Sequence, residues 1–363
     1  MRVSTERTGA TPWWAKRRIQ GGALALALLV GGGAAAQASS NGDGFLNPNG
    51  YSSHSTTRVA TTNSGSWTWN GTDYVWQGGI WAWHGDGANR LAFRTIANRT
   101  DPTFNQLLGI NDHGVIVGYF GSGDAATHPN RGFRLGAPYR QTSFLGENFP
   151  GSVQTQAVAL NDAGVSVGFY VDTKGANHGY VFTHGHFRTV DFPRTTARPT
   201  FNQLLGINRF GIAVGFFNDA QGNAHGFLFN TRNGQFTLIR LPVTATSIVP
   251  TGINDHGQIV GFFVQGKKTR GFIWGPHQFT VLNLGNHTNT QALGINNFGV
   301  VVGSFVDFAG RTHGFIRVNE HLVRTIDVPG STSTTINGLN NQGQAVGYYT
   351  DRAKNTLGFI AHR

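Results

Sequence analysis

The sequence predicts an all-β fold, a β-propeller of four-stranded antiparallel blades, and three observations point there. One pattern recurs six times at intervals of 50, 47, 46, 42 and 44 residues, periods that belong to repeat architectures. Each copy carries hairpin turn chemistry, Asn-x-x-Gly, between short apolar runs. No window shows a sustained helical hydrophobic period, while glycine is abundant (52 residues) and charge is sparse at 12%, the balance of many short strands joined by tight turns.

The pattern reads apolar-Gly-Ile-Asn, two variable residues, Gly, then apolar-x-Val-Gly-x-aromatic, with copies centred on Asn111, Asn161, Asn208, Asn254, Asn296 and Asn340. In each copy a first short strand, such as Ala292–Ile295, runs into the Asn turn. Asn favours the first turn position, and the glycine three residues on (Gly114, Gly164, Gly211, Gly257, Gly299, Gly343) can take the left-handed conformation, so the turn closes a hairpin with a bulge. A second strand follows, as at Val300–Phe305, then a second turn that often carries Asp and Gly, as at Asp172–Gly175. The third strand opens with Gly-aromatic at Gly132, Gly179, Gly226, Gly271, Gly314 and Gly358. A fourth appears at Phe187–Asp191, Phe236–Arg240 and Val323–Asp327, closed by Pro193, Pro242 and Pro329, since proline offers the ladder no donor. Four strands in about 45 residues is the size of one blade. The hairpin turns argue against a parallel β-helix, and the glycine and β-branched runs exclude a helical solenoid.

The last copy stops after its third strand, Gly358–Ala361, and the strand Leu91–Ile96 before the first copy supplies the missing kind. The ring is therefore expected to close with strands from both termini, which removes an exposed edge. Ser66–Trp69, Tyr74–Trp76 and Gly79–Trp83 read as strands of a degenerate extra blade, which favours seven blades over six. The expected single domain spans 66–363, and residues 39–65, rich in Ser, Asn, Gly and Thr, read as a flexible leader.

Residues 1–38 read as a secretory signal peptide: the basic Lys16-Arg17-Arg18, the apolar run Gly21–Val30, then Ala36-Gln37-Ala38. The run is too short for a membrane span, for which about 20 residues are needed. Arg17-Arg18 raises the twin-arginine route, but Ile19-Gln20 is not the apolar pair that usually follows. The expected location is secreted or periplasmic, with no membrane span in the mature chain. The charge of +11 for the whole chain is spread thinly, with short clusters at Lys267, Lys268 and Arg270 and at Arg311, Arg317 and Arg324. That is no nucleic-acid stripe; it suits weak attraction to anionic surfaces such as polysaccharide. The absence of cysteine excludes disulfides and thiolate metal sites, so an apolar core with 27 phenylalanines must hold the fold.

The Gly-Ile-Asn-x-x-Gly-x-x-Val-Gly-x-aromatic copies, with the later Ala224-His225-Gly226-Phe227 and Thr312-His313-Gly314-Phe315, resemble the bacterial extracellular repeats known as HAF, over roughly residues 75–363. The resemblance implies export and a repeated β fold, and it carries no catalytic residues. Arg131, Arg270 and Leu357 stand where other copies have His.

The chemistry-bearing residues read mostly as structure. His178, His225 and His313 recur at one position in three blades; equivalent positions diverge around a ring, so a hydrogen bond to a nearby turn is expected rather than a metal. Surface positions suit His184 and His186. The acids Asp112, Asp162 and Asp255 in the first turns, and Asp172, Asp219, Asp307 and Asp351 in the second, supply too few oxygens for calcium and suit turn formation. The non-repeated acids Asp86, Asp101, Asp124, Glu147 and Glu320 show no catalytic spacing, and no nucleophile elbow, phosphate loop or dinucleotide fingerprint occurs. Five of eight tryptophans, Trp67, Trp69, Trp76, Trp81 and Trp83, cluster together. Exposed, they would form a ligand-contact platform for sugar faces; buried, they would pack the extra blade. No cofactor or metal is expected. The expected function is an exported, non-catalytic binding or scaffold protein whose partner is carbohydrate or another envelope protein. Its ligand loops would be Gly121–Asn130, Tyr139–Gly151, Arg194–Thr200 and Pro242–Thr251. The alternative is a hydrolase or lyase working in the axial funnel.

Overall fold

A computed structural model describes residues 91–362, except 194, 277, 283, 285–288 and 321, together with the strands Ala60–Thr62, Gly65–Trp69 and Tyr74–Gln77. The proposed signal peptide and most of the proposed leader lie outside the described residues. The chain is all-β, built of four-stranded antiparallel sheets, with one short 3-10 turn among the described residues, at Gln141–Ser143.

Each sheet is a meander. Blade 1 runs Asn105–Ile110, Ile116–Phe120, Arg131–Leu135 and Phe144–Gly146. Blade 2 is Gln154–Leu160, Ser166–Val171, Asn177–Thr183 and His186–Val190. Blade 3 is Asn202–Ile207, Ile212–Asn218, Ala224–Asn230 and Phe236–Leu238. Blade 4 is Ser247–Ile253, Ile259–Gln265, Lys268–Gly275 and Gln278–Val281. Blade 5 is Asn289–Ile295, Val301–Val306, Thr312–Arg317 and Val323–Ile326. Blade 6 takes Ser333–Leu339, Ala345–Thr350 and Thr356–His362 from the C-terminal end and its outer strand, Ala92–Ile96, from the N-terminal side.

Blades are joined by packing between sheet faces. Val167, Val181 and Val190 of blade 2 meet Leu204, Ile207, Phe217 and Phe227 of blade 3. Ile96, Val346 and Ile360 of blade 6 meet Leu107, Ile110, Ile116 and Phe133 of blade 1 in the same way. Each buried Phe or Leu contributes roughly 1.5–3 kcal/mol, and these contacts replace the disulfides the chain lacks.

Six sheets meet in this way among the described residues, where the sequence left seven or six open. The strands Ala60–Thr62, Gly65–Trp69 and Tyr74–Gln77 form a separate three-stranded antiparallel sheet. They are not inserted between blades 6 and 1, because the inner strands of those two blades already touch: Asn337 Nδ2 donates to Leu107 O at 2.9 Å. One of these strands, Ala60–Thr62, falls within the span expected as leader.

Candidate functional site

The axis is where six copies of one local structure meet. At every Asn-x-x-Gly turn the glycine N–H donates to the asparagine carbonyl, as from Gly164 to Asn161 at 3.0 Å, and the six glycines have φ between +72° and +79°, conformations that other residues adopt at a cost. Each Asn Oδ1 accepts backbone N–H groups of its own turn, as from Phe210 and Ile212 to Asn208. Each Asn Nδ2 donates across to the next blade's Asn carbonyl: 111 to 161 at 3.1 Å, 161 to 208 at 3.0 Å, 208 to 254 at 3.2 Å, 254 to 296 at 3.0 Å, 296 to 340 at 3.3 Å, and 340 back to 111 at 3.0 Å. Asparagine suits the position because its short side-chain amide supplies both the acceptor for its own turn and the donor for its neighbour.

Just before the turn, each inner strand carries a β-bulge, with register shifts at Leu107/Gly109, Ala157/Ala159, Leu204/Gly206, Pro250/Gly252, Ala292/Gly294 and Ile336/Gly338. A bulge re-aims a side chain, and the bulged residues Leu108, Val158, Leu205, Thr251, Leu293 and Asn337 line an axial cavity of about 110 Å³. The next position is Gly in five blades and Ala159 in blade 2. There the blades touch through backbone: a Cβ on Gly294 would lie 2.7 Å from Asn337 O, and one on Gly109 2.8 Å from Val158 O. The polar groups of Thr251 and Asn337 are engaged with backbone carbonyls. The wall is therefore glycine, aliphatic side chains and bonded amides.

Beyond the Asn belt lies a polar mouth formed by Asp112, Asp162, Arg209, Asp255, Asn297 and Asn341. Their backbone N–H groups donate to the side chain of the next blade: Asp112 to Asp162, Arg209 to Asp255, Asp255 to Asn297, Asn297 to Asn341 and Asn341 to Asp112, at 2.7–2.9 Å. Asn297 and Asn341 also donate through Nδ2 to the carboxylates of Asp255 and Asp112. The step from Asp162 to Arg209 is missing among the described residues, because a guanidinium only donates; Arg209 lies over the Phe210 ring at 4.6 Å, with Nε 3.6 Å from Asp255.

At the second turns, each Asp accepts from its own loop: Asp172 from Lys174 and Ala176, Asp219 from Gln221 and Asn223, Asp351 from Asn355. The recurrent histidines bond these turns. His225 Nε2 lies 2.9 Å from Asp219. His313 sits between Asp307 at 3.0 Å and Asp327 at 2.7 Å. His178 sits between Asp191 at 2.7 Å and Asp172 at 3.6 Å. Each ring stacks on the aromatic of the second strand, Tyr170, Phe217 or Phe305. Burial pulls the His313 imidazole down, but its bonds to Asp327 and Asp307 outweigh that and raise it above the usual histidine value. Burial pushes Asp307 up, and bonds from His313 and the turn amides bring it below the usual carboxylate range. These are local clamps on single blades, and none of them faces the axis wall.

Among the described residues the non-repeated acids do not converge. Asp101 accepts from Thr103 and Phe104, and Asp124 caps its own loop at Ala126 and Thr127. Glu147 is buried between blades 1 and 2, where it accepts from Arg134, Ser166 and Tyr180. Asp86 lies outside the described residues. Sequence reading noticed Glu147 but not its partners; the signal was polar residues at repeat positions that are apolar in the other blades.

Of the tryptophan cluster, Trp81 and Trp83 lie outside the described residues. Trp67 and Trp69 are on one strand of the small sheet, with Trp67 paired to Trp76 and Trp69 to Tyr74. Alternation along a strand and direct pairing across it assign these four positions to one face.

No family model and no curated protein sequence matches the chain. Solved structures that resemble it include virginiamycin B lyase from Staphylococcus aureus (10% identity, TM-score 0.43, 76% of this chain and 100% of that one). A lectin of Aleuria aurantia in complex with Fucα1-6GlcNAc aligns at 10% identity and TM-score 0.44, over 71% of this chain and 91% of that one. TolB from Acinetobacter baumannii aligns at 10% and 0.42, over 69% and 65%. At such identities no ligand or activity passes from one chain to the other.

Proposed function

We propose that this chain is an exported, non-catalytic binding propeller of the extracellular HAF-repeat kind, with polysaccharide as its ligand. The observation that carries the non-catalytic reading is the make-up of the axis. The place where enzymatic propellers would gather acids and bases is walled by glycine, aliphatic residues, Thr251 and Asn337, and the mouth carboxylates of Asp112 and Asp255 are held by neighbouring amides. A ring closed in this way is a rigid frame, and function on rigid frames sits in what they display. The clustering of Trp67, Trp69, Trp76, Trp81 and Trp83 in the sequence supports the ligand class, because flat rings stack on sugar faces. The proposed signal over 1–38 supports placement outside the cytoplasm, secreted or periplasmic.

The test uses residues 39–363 on a glycan array and against insoluble polysaccharides, with chromatography of the supernatant for released sugars. Retention of the protein on at least one glycan is expected, and W67A/W76A should weaken it at least about tenfold, a loss of about 1.4 kcal/mol. D112N/D255N should leave it unchanged. Accumulation of oligosaccharide that D112N/D255N abolishes would replace the proposal with an axial hydrolase or lyase.

A further inference from the structure

The interface between blades 1 and 2 contains chemistry found at none of the equivalent positions elsewhere in the ring. Arg134 stands where the other blades have Val181, Leu228, Ile273, Ile316 and Ile360. Glu147 replaces Val190, Ile239, Leu282, Ile326 and Ile96. Ser166 replaces Ile116, Ala213, Ile259, Val301 and Ala345, and Tyr180 replaces Phe133, Phe227, Phe272, Phe315 and Phe359. These four departures come from two blades and meet at one point. Arg134 Nε donates to Glu147 Oε2, its Nη1 to Gly164 O at 2.9 Å and its Nη2 to Ser166 Oγ at 2.8 Å. Ser166 Oγ and Tyr180 Oη both donate to Glu147 Oε1, the latter at 2.9 Å. The Arg134 guanidinium also lies 4.8 Å over the Phe182 ring. Glu147, Ser166 and Tyr180 are all 1% exposed or less, and the Arg134 side chain, 20% exposed, covers them from outside.

Such a cluster is not explained by stability alone. A well-packed apolar set is commonly as stable as a buried ion pair or more so, and five blades of this protein show that the apolar set fits this fold. What the polar set adds is exclusivity, because each charge is satisfied only by the right neighbour. This chain needs exclusivity at this place. Its segments 102–111 and 199–208 are identical, so the inner strands of blades 1 and 3, Asn105–Ile110 and Asn202–Ile207, have the same sequence. Their surroundings match too: Leu107 and Ile110 pack on blade 6 much as Leu204 and Ile207 pack on blade 2. The inner strand therefore cannot tell blade 1 from blade 3. A blade 1 seated in the place of blade 3 would face blade 4, where Ile259 and Phe272 offer the Arg134 and Glu147 charges nothing.

We propose that the Arg134–Glu147–Ser166–Tyr180 cluster is an assembly address, a buried polar match that commits blade 1 to blade 2 and prevents exchange of the duplicated blades within or between chains. Folding of the whole chain tests it. R134I/E147I/S166A/Y180F restores the residue types found at these positions in the other blades. Its urea midpoint at equilibrium should equal or exceed that of the wild type. Refolded by dilution and sized by chromatography with light scattering, the wild type should return as monomer, whereas the variant should lose at least about twofold in monomer recovery to exchanged oligomers, increasingly with protein concentration. Equal monomer recovery from both would overturn the proposal. So would a variant that is destabilised or fails to fold, since the cluster would then be a plain stability element.

Discussion

The inner and outer strands of the blades obey different rules. Around the axis the six copies are nearly identical: the same asparagine, the same bulge, the same left-handed glycine. At the ends of the outer strands they diverge: one position is Asn148, Asp191, Arg240, Asp327 and Ala97 in blades 1, 2, 3, 5 and 6, and Glu147 beside it stands where the other blades are apolar. The reason is space. Sheets set radially converge inward until backbone meets backbone, with added Cβ atoms at 2.7–3.4 Å from the next blade. Outward they fan apart, and the wedge is filled by Phe227, Phe272, Phe315 and their equivalents. Repetition is enforced where the blades touch and relaxed where side chains mediate, so individual chemistry is to be sought on the outer half.

This difference explains what the sequence made legible. The blade grammar was readable because the crowded inner strands permit so few residues that the period stands out, and the incomplete last copy pointed to its pairing with Ala92–Ile96. The number of blades was not, since Trp67, Trp69 and Trp76 form strands without the Asn-x-x-Gly signature. Only that signature marks a place on the axis. The histidine-to-turn bonds were foreseeable from the recurrence of His178, His225 and His313. The Glu147 cluster was not, because its members are up to 46 residues apart and each looks like an ordinary substitution in its own repeat.

The largest effect expected from this comparison lies on the outer half. Glu147→Ala leaves the Arg134 charge buried against blade 2 without its carboxylate, a loss of about 3–5 kcal/mol in equilibrium urea unfolding. A loss below about 1 kcal/mol would mean that the guanidinium finds water easily, and that the interface is looser than its burial implies.

A smaller and graded effect is expected at the axis. Gly294→Ala places a methyl 2.7 Å from Asn337 O, which is backbone and cannot turn away; about 1–3 kcal/mol should be lost as the wall spreads. For Gly252→Ala the contacts are 3.1 Å to a Val260 methyl and 3.4 Å to the next blade, and blade 2 already holds Ala159 at this position. Its change should fall within about 0.5 kcal/mol of zero. Equal effects for the two would break the claim that backbone contact enforces the inner pattern.

The smallest effect belongs to the blade edge and carries a pH signature. The folded chain binds the His313 proton more tightly than an unfolded chain does, because Asp307 and Asp327 flank the ring. Its contribution is therefore complete below the unfolded histidine value of about 6.5 and fades as pH rises through the higher folded value. Asp307 runs the other way: its carboxyl is held low, so its share is present above about 3.9 and is lost as pH falls through the folded value. The clamp works best between these limits. The stability gap between wild type and His313→Gln should be about 1 kcal/mol or less near pH 6, since the flanking carboxylates are partly open to solvent, and it should shrink by pH 8. Thermal unfolding of both proteins at the two pH values reads the difference directly. A gap that stays constant or widens toward pH 8 would mean that the ring acts through stacking on Phe305, and that even the outer half of this blade is held by packing rather than by charge.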